Sequence, residues 1–162
     1  MNQKELLKIL RYNKRTGQFT WIRYIKGKDR TGDIAGWVDR RGYRRIQIGC
    51  FSYSASRLAW LYCYGKWPRD QIDHRDCNKG NDKISNLREA TNKQNGRNRF
   101  RRSDNTSGAK GVSWHKRDRK YTAYIGVDGK RKFLGYFTKK EDAAKTYAIA
   151  SKEYHREFRR VD

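Results

Sequence analysis

Hydrophobic positions change period several times along the chain. GYRRIQIG (42–49) alternates polar and apolar residues, the two-residue period of a strand with one buried face. SASRLAWLYCYGKW (54–67) instead carries Ala55, Leu58, Ala59, Leu61 and Tyr62 at helical spacing and runs out near Gly65 and Pro68, which predicts a helix. Nearer the start, Leu6, Leu7, Ile9 and Leu10 predict a short buried helix. In the last third, YTAYIGV (121–127) and KRKFLGYF (130–137) alternate on either side of Asp128-Gly129. That pair readily takes the positive φ values of primed turns, so a tight hairpin is expected. GVSWHK (111–116) supplies a third strand. Thr138 and Glu141 have capping-box spacing and open a helix with a small-residue face of Ala143, Ala144, Tyr147, Ala148 and Ser151. Strand alternation turns Tyr121, Ala123, Ile125, Val127, Leu134 and Tyr136 toward that helix. Thr122, Tyr124, Gly126, Arg131, Phe133 and Gly135 then share the opposite face.

The middle of the chain is more polar. Asp73 and His74 belong to a short strand, CNKGNDKISN is a loop, and a second strand is expected around Ile84 to Arg88. Thr91 and Gln94 form a capping box that starts a helix at Asn92, with Asn95 in its first turn and Asn98 and Arg99 one turn later. RRSDNTSGAK (101–110) lacks aliphatic periodicity and reads as a linker. The expectation is an α+β chain with one domain over 1–100, its strand, strand, helix core at about 70–100, and a second over 111–162. The second is a three-stranded antiparallel sheet packed on one helix.

Charge changes what these elements are for. The 162 residues carry a formal net charge of +23, far more than solubility needs, which points to a polyanion partner. An aromatic content of 14% argues against a disordered basic tail. No long apolar run or secretory segment appears, so a membrane is not the expected partner. Cys50, Cys63 and Cys77 are odd in number and widely spaced, so neither a disulfide framework nor a structural zinc site is expected, and a reducing cytoplasm fits. Without heptads, a monomer with no obligate protein partner is favoured.

The stretch IDHRD (72–76) wraps two aspartates around one of three histidines. A carboxylate and an amide oxygen can hold a hard divalent cation, a neutral imidazole can deprotonate water, and a helix N-terminus favours phosphate. Asp73-His74, then Asn86 twelve positions after the histidine, then Asn95 nine further on, resembles the phage and intron homing branch of the HNH endonuclease family. The resemblance implies a ββα-metal core behind a strand-rich N-terminal leader, LLKILRYNKRTGQFTWI, with His74 the general base and Asp73 and Asn95 metal ligands. It also implies that Asn86 braces the loop and orients the histidine. Many family members carry histidine where this chain has Asn95, which shifts the expectation from zinc to Mg²⁺, with Mn²⁺ as an alternative. Arg99 is expected to contact a flanking phosphate. If the residue at 74 acts as a base, activity should fall in acid.

The segment from about Gly111 to Ser151 resembles the AP2 (ERF-type) DNA-binding domain in GV-W, A-Y-I, LGYF and EDAAKTYA, with Tyr121 where a tryptophan is usual. That resemblance implies a sheet laid in the major groove of double-stranded DNA. Ser113, His115, Tyr124, Arg131 and Phe133 would face the bases, with Arg117 among the bordering charges. His115 and His155 have no acidic neighbour at ligand spacing and are read as noncatalytic. Lys26, Lys28, Arg30, Arg40 and Arg41 could track a DNA backbone. Together the resemblances imply a nicking, homing-type endonuclease, acting in the cytoplasm, that of the host cell if the chain is phage-encoded. The alternative is a catalytically silent DNA-binding regulator built on the same scaffold. RNA is a weaker choice of partner, because its narrow major groove would exclude the sheet.

Overall fold

The computed structural model describes residues 1–22, 29–101 and 103–159, so Lys26 and Lys28 lie outside the described residues. The chain divides into two compact units, Met1–Asn92 and Lys93–Asp162. Its architecture is mixed α and β, with several small antiparallel sheets.

In the first unit, α1 (Gln3–Leu7) starts from a reciprocal capping box. The Asn2 side chain accepts the Glu5 N–H at 2.9 Å, and Glu5 Oε2 accepts the Asn2 N–H at 2.9 Å. Leu6 and Leu10 are buried, whereas Leu7, one step round α1 from Leu6, is exposed. The chain instead enters a hairpin of β1 (Leu10–Asn13) and β2 (Gln18–Trp21), which buries Leu10 and Tyr12 from one strand, Phe19 and Trp21 from the other. A three-stranded antiparallel sheet follows, β3 (Trp37–Val38), β4 (Arg44–Ile48) and β5 (Phe51–Ser54). Then comes α2 (Ala55–Tyr64), closed by Gly65. Leu58, Ala59 and Leu61 of α2 join Leu6, Leu10, Phe19 and Ile46 in one apolar core, so the leader and the helix supply the burial that the polar segment after them lacks.

That polar segment forms the antiparallel pair β6 (Gln71–His74) and β7 (Leu87–Ala90). The second strand starts later than expected, since Ile84–Asn86 is a turn of 3₁₀ helix that lets Leu87 reach the core. α3 (Asn92–Arg97) follows β7 directly.

The second unit contains β8 (Val112–His115), β9 (Lys120–Val127) and β10 (Lys130–Phe137), in sheet order β10-β9-β8, and then α4 (Lys140–His155). The turn at Asp128 and Gly129 has φ values of 50° and 84°, both positive as the primed hairpin requires. Val112, Ala123, Ile125 and Leu134 pack toward Ala143, Tyr147 and Ala150 of α4. Two expectations fail here. The residue before α4 is Lys139, which makes no side-chain capping bond, so the Thr138–Glu141 box does not form. A bulge between Phe133 and Gly135 adds one residue to β10 and pairs Tyr136 with Thr122. Tyr136 therefore leaves the helix-facing side, and Phe137 takes the inner position.

Candidate functional site

The β6–β7 pair carries the first cluster. Adjacent strand residues point to opposite sides, so Asp73 and His74 diverge although both are buried. Asp73 sits opposite Arg88 in the strand register. Arg88 places Nε at 2.8 Å and Nη2 at 2.7 Å from Asp73 Oδ2, a buried charge-assisted pair that fixes the carboxylate. On the other side, His74 Nε2 is 3.0 Å from Oδ1 of Asp82, which is only 2% exposed. The Tyr43 ring lies 6.1 Å from the imidazole and is covered by the Lys79 ammonium at 5.0 Å.

The loop between the strands is tied by its own side chains. Asn86 donates to Asp76 Oδ1 at 2.9 Å and to the Asn81 carbonyl at 2.8 Å, and accepts the Asp76 N–H at 3.1 Å. Asn86 thus ties Asp76 to Asn81 within the loop, and Nε2 of the His74 imidazole faces Asp82. Burial pushes the Asp76 carboxyl up, but hydrogen bonds from Asn81, the Asn78 N–H and Asn86 outweigh it and hold the group below its ordinary range. The far side of the loop rests on the leader. The Tyr12 hydroxyl donates to the Asp82 carbonyl at 2.6 Å, and burial drives the Tyr12 phenol well above its usual value. Gly17, at φ +76°, lies so close that a Cβ there would meet Lys83 N at 2.5 Å and the Asp82 carbonyl carbon at 2.7 Å.

The other expected site residues fall in the second unit. Asn95 is half-buried in α3. Arg99 is exposed and lies past the last helical residue, Arg97, so it does not continue the Asn95 face. The Lys110 ammonium caps this end of the helix, donating to the Arg97 and Arg99 carbonyls at 3.0 and 2.6 Å. Among the described residues, no group of three or more His, Cys, Asp or Glu side chains is arranged to hold a metal ion.

The sheet face away from α4 gathers the expected DNA-facing residues. Ser113 pairs with Thr122, Phe133 with Tyr124 and Arg131 with Gly126, and His115 follows Ser113 on the same face of β8. The Arg131 guanidinium stacks 3.8 Å from the Tyr124 ring centre, and Phe133 lies 5.1 Å from both Tyr124 and Tyr136. Tyr136 is the member that alternation missed, since a bulge leaves no mark in a hydrophobic pattern. His115 does have an acidic neighbour: its Nδ1 is 3.3 Å from Asp118 Oδ2. Arg117, largely exposed, reaches the same aspartate through Nε at 3.0 Å. No helix among the described residues is long and apolar enough to cross a membrane.

Comparison with known proteins locates the first cluster within a family. The HNH endonuclease family matches residues 53–97, from β5 through α3. Protein 3.8 of Escherichia phage T7 is 34% identical over 96 residues, covering 57% of this chain and 74% of that protein. No solved structure matches. The chain belongs to the family of the T7 Protein 3.8 and carries an HNH endonuclease domain at residues 53–97.

Proposed function

We propose that this chain is a divalent-metal-dependent DNA endonuclease of the nicking, homing type, acting in the host cytoplasm. The observation that carries the reading is the buried His74–Asp82 contact, one residue along the strand from the Asp73 that Arg88 fixes, all inside the family match. The donor set fits a hard cation. Asp73 and Asn95 offer a carboxylate and an amide oxygen, the kind of set that leaves water and phosphate to complete the shell of Mg²⁺ or Mn²⁺. When bound, the cation would stabilise charge on the phosphate and on the leaving 3′ oxygen. His74 takes the proton of the attacking water, and in-line attack at phosphorus breaks one phosphodiester bond. Asn86 keeps the loop from moving as the substrate enters, and Arg99 contacts the phosphate beside the scissile one.

The second unit is the anchor, an AP2/ERF-like module laid in the major groove of double-stranded DNA. Ser113, His115, Tyr124, Arg131 and Phe133 face the bases, and Arg117 sits at the border. The arrangement of arginine and aromatics on one sheet face supports this assignment. A monomer with one cleft cuts one strand.

Metal titration tests the proposal. Protein stripped with EDTA should be inactive and regain cleavage with Mg²⁺ or Mn²⁺, while Asp73→Asn and Asn95→Ala should need more metal or fail to respond. Cleavage that is indifferent to EDTA contradicts it. If EDTA-treated and metal-loaded protein bind one DNA sequence equally and neither cuts, the chain is a DNA-binding regulator.

A further inference from the structure

We propose that Asp82 is a positioning residue that locks the tautomer of His74, so that the histidine accepts the proton from water through Nδ1. The proposal rests on reading His74 as the base. Sequence patterns give no hint of it, because Asp82 lies eight residues from His74 in a loop of Asn, Asp, Gly and Lys.

A carboxylate taken out of water is expensive unless it is paired. Asp82 is almost completely buried, yet its Oδ2 has no hydrogen-bond partner among the described residues. Its Oδ1 is 3.0 Å from His74 Nε2. A group held at such a cost, with its side-chain contact directed at one imidazole, acts on that imidazole.

The loop is built to keep it there. The Tyr12 hydroxyl holds the Asp82 carbonyl, and Gly17 leaves room for the Asp82 and Lys83 backbone. Both contacts involve main-chain atoms of the loop, so changing the Asp82 side chain leaves them in place. An ionised carboxylate can only accept hydrogen bonds, so the nitrogen facing it must carry the hydrogen. Nε2 is therefore the N–H and Nδ1 the basic nitrogen. As Nδ1 gains a proton, Asp82 remains opposite the cation that forms, the role that a buried carboxylate plays toward a catalytic imidazole.

The test reads the tautomer directly. Full-length protein with ¹⁵N-labelled histidine is examined by two-bond ¹H–¹⁵N correlation at about pH 8, where an ordinary imidazole is neutral. His74→Gln identifies the signals of that ring. Wild type should show a protonated-type Nε2 and an unprotonated Nδ1. Asp82→Asn, whose amide can donate or accept, should give a mixed or reversed pattern. The same variant should lower kcat for cleavage by about 10- to 100-fold, the size expected when the partner that orients a catalytic histidine is lost. Its Kd for DNA and its unfolding midpoint should be unchanged.

An Nδ1–H tautomer in wild type overturns the proposal, as does full kcat in Asp82→Asn or a loss that arises through DNA affinity or stability. If Asp82→Asn does not fold, the wild-type spectrum alone decides. If wild type cuts no DNA, the nuclease reading fails, and the spectra still report whether Asp82 sets the tautomer.

Discussion

Replacing Arg88 by Met removes a cation while keeping an apolar stem of similar length. Asp73 and Arg88 are cross-strand partners, about 5% exposed on each side chain, with both guanidinium contacts on one carboxylate oxygen. Burial decides the size of the effect. An exposed pair is worth about 0.2–1 kcal/mol, whereas removing one member of a buried pair leaves an uncompensated charge and costs about 3–5 kcal/mol. Against a total stability of about 5–15 kcal/mol, Arg88→Met alone should shift the first unit's urea midpoint strongly. Asp73→Leu combined with Arg88→Met exchanges the pair for apolar volume and should recover most of the loss. The four tryptophans of the first unit, Trp21, Trp37, Trp60 and Trp67, report its unfolding by fluorescence. The double variant should be folded and still unable to cut, because Asp73 is gone. A cost below about 1 kcal/mol for Arg88→Met would refute the buried-pair reasoning.

Other expected outcomes follow from single contacts. Gly17→Ala should destabilise the first unit by about 1–3 kcal/mol in urea denaturation and lower cleavage, because the left-handed φ and the Lys83 and Asp82 backbone leave no place for a Cβ. In the second unit, burial depresses the His155 pKa, and Arg97 and Lys110 add to this against the pull of the Gly126 carbonyl, whose oxygen is 2.9 Å from Nε2. A depressed folded value means that the neutral ring stabilises the unit above about pH 6.5 and that this contribution is lost as the pH falls below it. Once the slower intrinsic exchange in acid is divided out, protection of the β9 amides should therefore fall on acidification more in wild type than in His155→Gln. Arg131→Ala and Phe133→Ala should each weaken DNA binding without changing the unfolding midpoint, since both side chains are exposed. Equal binding by both variants and wild type in a titration at fixed salt would remove the sheet from the interface.

Much of the architecture is written in local chemistry. Asp128-Gly129 announces its hairpin because few other pairs tolerate two positive φ values, and α2 follows from apolar spacing that the core then uses. Asp73, His74 and Asn86 stand out in the sequence as motif residues by type and spacing. What escaped depends on partners distant in sequence or on backbone irregularity. Arg88 meets Asp73 only once the strand register is fixed, and Asp82 meets His74 only once Tyr12 and Gly17 have seated the loop. The Leu134 bulge moves Tyr136 to the other face by inserting one residue that alternation cannot foresee. α4 begins at Lys140 rather than just after Thr138, because a capping box in sequence is an opportunity that the sheet-to-helix geometry did not take.

The most direct test of the proposed chemistry is relaxation of supercoiled DNA carrying candidate target sites by wild type and by His74→Ala, side by side, with Mg²⁺ or with EDTA. Conversion to open circles by wild type with metal, and by neither protein in EDTA, with His74→Ala slower by about 10²–10⁴-fold, is the expected result. Equal cutting by both proteins would mean that His74 is not the base, and binding without cutting by either would mean that the HNH domain of this chain does not act as a nuclease.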